Sequence, residues 1–177
     1  MTGIIIAAVV VGLILYAIYI YNSLVKLRQM TQEGWSGIDV QLKRRTDLIP
    51  NLLAAVKGYM THERELLEKI TELRSQSQAA QGDDPADRAK VEGALSNALL
   101  QLRAVMESYP DLKAKQSGLG CQNSLEEIEN EIQMSRRYYN GSVRNLNVMV
   151  ESFPSNLLAG QFGFSKAEYF ELDNPAD

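Results

Sequence analysis

The chain carries one cysteine and one histidine in 177 residues, and those shortages exclude more chemistry than any motif suggests. Cys121 has no partner for an internal disulfide, and together with His62 it leaves too few soft ligands for a His/Cys zinc site. The segment "THERE" at 61–65 starts like a zinc-protease helix, but Leu66 stands where the second histidine would have to be. As a nucleophile, Cys121 has only one histidine available as base, some sixty positions away in sequence. The glycines of "SGLGC" at 117–121 follow no strand and precede no lysine-hydroxyl pair, so they read as a turn and not as a phosphate loop. Glu126, Glu127, Glu129 and Glu131 lack the Glu-x-x-His pairs of a di-iron bundle and read as a solvated acidic face. The "NGS" at 140–142 matches a glycosylation acceptor but falls inside a predicted helix. A net charge of -4, with no interleaving of arginines and aromatics, gives no footprint for nucleic acid. No stretch alternates with period two long enough to be a strand, and no internal repeat is visible. These absences predict an all-α protein without cofactor or metal, and not an enzyme.

What is present begins with an uncharged run, Ile4 to Tyr21, "IIIAAVVVGLILYAIYIY". As a helix it rises about 27 Å, close to the hydrocarbon thickness of a bilayer. No basic residue precedes it and no small-x-small site follows, so an uncleaved anchor over residues 1–23 is expected, with Ile4, Val10, Leu13 and Tyr21 among its lipid-facing positions. Tyr16, Tyr19 and Tyr21 gather at its C-terminal end, where amphipathic rings favour the headgroup level. Lys26, Arg28, Lys43, Arg44 and Arg45 follow, against only Glu33 and Asp39, a local net of +3. The positive-inside rule therefore predicts a single-pass protein of the bacterial cytoplasmic membrane with its body in the cytoplasm; a periplasmic body is the alternative. The basic collar, expected to face outward, suits an anionic leaflet.

Beyond the anchor, Leu24, Ile38, Leu42, Ile49, Leu52, Val56, Tyr59, Leu66, Ile70 and Leu73 recur mostly at steps of three, four or seven, the mark of one apolar helix face. Asp39 before Lys43, and Glu65 before Lys69, stand in the favoured acid-first order on the solvated side. Pro50 removes an amide donor and crowds the preceding turn, which predicts a kink or break near Asp47 to Asn51. A polar loop, "SQSQAAQGDDPADRAK", ends in Asp83 or Asp84 as N-cap and Pro85 in the first turn of a second helix, which carries Val91, Leu95, Leu99, Leu102 and Met106 and stops near Tyr109. A third helix starts near Ser124 and runs through Leu125, Ile128, Ile132, Tyr139, Val143, Leu146 and Val150. With the first run split at Pro50, these make an antiparallel, four-helix-bundle-like body of long helices over residues 24–165, packed in coiled-coil fashion. Residues 166–177 are set apart as an acidic tail, its end disordered.

The segment from Phe153 onward is dense in rings yet broken by glycine and proline. Its rings either fold back to cap the bundle or form a patch for another subunit or the bilayer surface. Trp35, Tyr138, Tyr139, Phe153, Phe162 and Phe164 are the candidate contact residues. Asp39 and Asp47 in the first run, and Arg136 and Arg137 in the third, are candidates for ion pairs that set register across the bundle.

The stretches "YNSLVKLRQMTQEGWSGIDVQLKRRTDLIPNLLAAVKGYMTHE", "YPDLKA", "ENEIQMSRRYYNGSVRNLNVMVESFPSNLLAG" and "FGF" resemble the LemA family, in the same order and directly after an apolar segment. The likeness covers most of residues 20–165; "SGLGCQNSLEE" departs from the usual pattern before the third long helix. What the resemblance implies is a helical bundle on the bacterial cytoplasmic membrane, with no catalytic residue carried over. The family includes a magnetosome-associated branch connected with membrane formation, and members associated with membrane metalloproteases. The expectation is a membrane-anchored scaffold that self-associates and organises the membrane or a membrane partner. The alternative is an accessory subunit of a membrane metalloprotease or stress-sensing system.

Overall fold

Helix α1 is continuous from Thr2–Val56 in the computed structural model, which describes residues 1–172 of the chain. At 1.5 Å per residue its 55 residues make a rod of about 82 Å. Residues 1–19 stand almost entirely clear of the rest; from Ile20 onward one face is buried. The remaining helices are α2 (Arg64–Ala79), α3 (Pro85–Met106), α4 (Pro110–Ala114), α5 (Gln116–Glu151) and α6 (Ser155–Gln161), and no strand occurs among the described residues. Helices α1, α2, α3 and α5 alternate in direction and form the expected antiparallel four-helix body.

The expected break at Pro50 is absent, and a residue far away in sequence explains why. Proline leaves the carbonyl four residues earlier without its helical donor. That carbonyl belongs to Thr46, and Arg74 Nε of α2 donates to it at 2.8 Å. The chain breaks instead at Lys57 to Glu63, between α1 and α2. Asp84 and Pro85 start α3 as anticipated. In contrast, α5 begins at Gln116, about two turns before the predicted start, so "SGLGC" is helical and not a turn.

Three polar contacts set the level of each helix along α1. Arg88 of α3 pairs with Asp39, and Ser96 of α3 with Arg45, so α3 runs parallel to α1. Arg45 meets Glu129, and the Gly34 backbone lies against Tyr139, so α5 runs antiparallel, with paired residue numbers adding to 173 or 174. A Cβ on Gly34 would sit 3.1 Å from Tyr139 Cα, so the absence of a side chain there lets α1 and α5 approach closely. The α2/α3 hairpin flanks only the part of α1 beyond about Trp35. Nearer the projecting segment its place is taken by α6 and by an irregular strap, residues 162–172.

The core follows this division. A distal cluster joins Ile49, Leu52 and Val56 to Ile70, Leu95, Leu99, Leu102 and Leu125. A middle one joins Ile38 and Leu42 to Ile132, Tyr139, Val143, Phe170 and Leu172. A proximal one joins Ile20 and Leu24 to Leu146, Ala159 and Phe164. The boundary expected at residue 165 therefore cuts through a packed segment: Phe170 and Leu172 are buried against α1 and α5, and residues 166–172 are not a detached tail. The disorder expected at the acidic end concerns residues 173–177, which lie outside the described residues.

Candidate functional site

At the centre of the bundle side chains from all four long helices join one network around Arg45, whose side chain is 0% exposed. Its Nη2 donates to Glu92 Oε2 at 2.6 Å and to the Glu92 carbonyl at 3.2 Å; its Nη1 donates to Ser96 Oγ at 2.6 Å and to Glu129 Oε1 at 2.9 Å. Ser77 of α2 donates to the other oxygen of Glu92 at 2.5 Å. Arg88, also buried, pairs with Asp39 and lies 3.7 Å from Glu92 Oε1, its guanidinium 5.9 Å from the centre of the Trp35 ring. Burial by itself would lower the pKa of Arg45, but Glu129 and Glu92 outweigh that and hold it above its ordinary value. The cluster is thus a buried ionic knot in which both terminal nitrogens of Arg45 are engaged, while Arg45 Nε and Arg88 Nε are buried without a hydrogen-bond partner.

Such a knot sets alignment more than it adds stability, because desolvating the ions costs about as much as their attraction returns. Its members sit on the apolar rows themselves: Arg45 fills the gap in Ile38, Leu42, Ile49, Leu52, and Glu92 falls in step with Leu95, Leu99 and Leu102. The sequence expectation that Lys43, Arg44 and Arg45 all face outward is therefore corrected for Arg45; Lys43 and Arg44 are exposed. The three-residue step from Leu42 to Arg45 and the four-residue step to Ile49 are the signal that locates it. Glu129, expected on a solvated face, is tied to Arg45, while Asp39 pairs with Arg88 and not with Lys43.

The second feature is the strap. Asn140 Nδ2 donates to the Phe170 carbonyl and its Oδ1 accepts from the Phe170 N–H, both at 2.9 Å. Asn147 makes the same pair with Ala167, at 3.1 and 2.8 Å. Seven helical residues rise about 10.5 Å and three extended ones about 10 Å, so the two asparagines match strap residues three positions apart. Tyr139 Oη adds a 2.7 Å donation to the Glu168 carbonyl. Burial, with Glu168 beside it, pushes the Tyr139 phenol up to about 12.

The strap settles the fate of the aromatic contact candidates. Tyr139 and Phe164 are buried, because the strap closes over one and α6 packs beside the other. Trp35 is half-buried, its ring 5.3 Å from Tyr139 and 5.5 Å from Phe170. Tyr138, Phe153 and Phe162 are exposed. Ile4, Val10 and Leu13 are exposed along the free part of α1, Tyr21 meets Phe162 and Phe164 edge-on, Lys26 is exposed, and the Arg28 guanidinium lies 4.6 Å from the centre of the Phe164 ring. At the opposite end, Leu53, Met60 and Leu67 floor an open groove of about 800 Å³ between the end of α1 and α2, edged by Lys57, Arg64, Glu68 and Glu72. No group of three or more potential metal ligands occurs among the described residues.

These features define a class: an all-helical bundle built on a single projecting helix that is long and apolar enough to cross a membrane. The chain belongs to the LemA family, whose model matches residues 34–177. It is similar to magnetosome protein MamQ 2 of Paramagnetospirillum magneticum, at 27% identity over 88% of this chain and 66% of the relative. It is also similar to magnetosome protein MamQ of Magnetospirillum gryphiswaldense, at 26% identity with the same coverage. Protein LemA of Metamycoplasma hominis is 26% identical over 89% of this chain and 73% of its own length. The chain spans just under two thirds of the length of the magnetosome relatives it matches.

Proposed function

We propose that this chain is a single-pass, membrane-anchored scaffold whose body lies on the cytoplasmic face of a bacterial inner membrane and which self-associates to organise that membrane or a partner within it. The observation that carries this reading is the continuity of α1. One unbroken helix supplies the exposed apolar segment, the centre of the bundle and, at Leu53 and Lys57, a wall of the distal groove. From Tyr21 to Lys57 it rises about 54 Å, so a partner seated in the groove would be held at a fixed height above the bilayer. That is a service of position and not of catalysis. Lys26 and Arg28, directly after the span, support the cytoplasmic orientation. The exposed pair Met134 and Tyr138, beside Gly37 of α1, is the apolar flank best suited to a second copy. The likeness to magnetosome proteins agrees with a role in organising a compartment.

A second reading, an accessory subunit of a membrane metalloprotease or of a stress-sensing system, is favoured by the groove itself, since its charged edge and apolar floor suit one helix or extended segment of a different protein. Extraction of the full chain in mild detergent, followed by mass measurement of the intact assembly, separates the two. The scaffold reading expects a homomeric species of several copies; a monomer that co-purifies with a membrane protease would replace it with the second.

A further inference from the structure

Helix α6 and the turns flanking it leave an apolar surface beside the point where α1 departs from the bundle. Phe153 is 79% exposed, Leu157 64% and Phe162 54%, although the segment that carries them is tightly built. Ser155 Oγ donates to the carbonyls of Met149 and Ser152, at 2.7 and 2.9 Å, and pins the start of α6 to the end of α5. At its other end the Phe164 N–H returns to the Ala159 carbonyl at 2.9 Å around Gly163, whose φ of +73° closes the helix in a Schellman stop. Phe164 and Ala159 then pack inward on Ile20 and Leu24. Three large side chains are thus held outward by a rigid mount.

Their height is fixed by two independent observations. The α1/α5 register places Glu151 level with Asn22 and Phe153 level with about Ile20. Phe162 packs edge-on against Tyr21, with ring centres 5.0 Å apart. Both positions fall on the last turn of the uncharged run Ile4 to Tyr21. The charged residues nearest this level, on α1, α5 and the strap, are Lys26, Arg28 and Arg144, together with Lys166, which pairs with the carboxylate of Glu151 at 2.6 Å and leaves three cations in excess.

We infer that α6 and its flanking rings form a foot that inserts into the interfacial layer of the same leaflet from which α1 emerges. This rests on the reading of Ile4 to Tyr21 as a bilayer span. An apolar surface continuous with a spanning helix, at the depth of its terminal tyrosines and backed by cations, meets headgroups and upper acyl chains, and an interfacial helix of this kind sits about 5–10 Å deep. Two points of attachment, the span and the foot, would fix the tilt and rotation of the rod as well as its position. Anionic lipid is the chemistry the surrounding cations select.

The test uses the full chain, with Cys121→Ser, reconstituted at high lipid excess into vesicles of phosphatidylcholine and phosphatidylglycerol. Single cysteines introduced by Leu157→Cys, Val10→Cys or Met134→Cys carry an environment-sensitive fluorophore, quenched either by lipids spin-labelled at shallow or deep acyl positions or by aqueous iodide. Leu157 is largely solvent-exposed, so labelling there leaves the core intact, and Phe153→Cys supplies a second reporter on the same surface. The expected result is a Leu157 label with blue-shifted emission, shielded from iodide and quenched most by the shallow lipid probe. The Val10 label is quenched most by the deep probe and the Met134 label by iodide alone. A Leu157 label that behaves like the one at Met134, while Val10 remains buried, overturns the foot and leaves the span standing. A Val10 label that is itself open to iodide overturns both. Shielding at Leu157 without lipid quenching, lost on further dilution of the protein in lipid, assigns the surface to a second copy and also overturns the foot.

Discussion

The half of the bundle far from the projecting segment and the half next to it solve the same packing problem with different parts. The distal half has four helices and locks their alignment with an ionic knot, Arg45 from α1, Glu92 from α3 and Glu129 from α5, joined by the hydroxyls of Ser96 from α3 and Ser77 from α2. In the proximal half α1 and α5 face the short α6 and an irregular strap, and alignment of the strap comes from neutral amide-to-peptide pairs at Asn140 and Asn147. The difference follows from geometry. Helices satisfy their own backbones and need side chains to choose a register, whereas an irregular strap brings unsatisfied peptides that must be bonded where they are buried. Charge is therefore concentrated where shape alone leaves sliding possible, and amides where the backbone demands partners.

The largest effect should come from Arg45→Met. Removing the shared cation leaves Glu129 without its counter-ion and the buried Glu92 with only Arg88, 3.7 Å away, at a cost of about 3–5 kcal/mol. Thermal and denaturant unfolding of the full chain in detergent, followed by far-UV circular dichroism, reads this directly. If the knot serves alignment more than stability, the triple change Arg45→Met, Glu92→Leu, Glu129→Met recovers most of the loss. A triple variant as unstable as the single one would show that the ions contribute net stability and would blur the contrast between the two halves.

Replacing either asparagine should act more locally. Asn140→Ala or Asn147→Ala removes two hydrogen bonds and leaves a strap peptide without its partner, at about 1–3 kcal/mol. Hydrogen exchange is expected to rise across 164–172 while α2 and α3 keep their protection. Trp35 is the only tryptophan in the chain and its ring lies 5.5 Å from that of Phe170, so its emission should shift as the strap lifts. Loss of protection throughout the bundle would mean that the strap is integral to one cooperative unit and that the two halves do not differ in this respect.

The same contrast explains which parts of the molecule could be read from the sequence. The long helices, their directions and most core residues follow from rows such as Leu95, Leu99 and Leu102, because helical periodicity is local, whereas the short α4 and α6 carry no such row. Arg45 stands on such a row but is polar, and a polar residue near a presumed membrane surface is naturally assigned to solvent; only its step from Leu42 and Ile49 shows otherwise. The continuity of α1 through Pro50 depends on Arg74, 28 positions away, and no local rule contains that bond. The strap has no period, and its alignment is set by asparagines at 140 and 147 whose spacing acquires meaning only beside an extended segment. Tyr139 and Phe164 are indistinguishable by composition from the exposed Phe153 and Phe162, because composition cannot tell which rings turn inward.

Tyr139 offers the finest test, because it belongs to both the helix pair and the strap. At neutral pH, Tyr139→Phe should cost only about 0.5–1.5 kcal/mol, the net worth of its hydrogen bond to the Glu168 carbonyl. Its pH dependence is more telling. Burial raises the phenol from the ordinary value near 10 to about 12, so the folded state holds this proton more tightly than the unfolded chain does. The associated stability is fully present below pH 10 and is lost as pH rises from 10 through about 12. The informative quantity is the difference between wild type and Tyr139→Phe in denaturant midpoint from pH 8 to 11.5, in which every ionisation the two proteins share cancels. That gap should shrink as pH rises and then reverse, the phenylalanine variant becoming the more stable. A constant gap would mean that the phenol ionises as freely in the folded protein as in the unfolded chain, and that the strap does not seal the α1/α5 seam at this level.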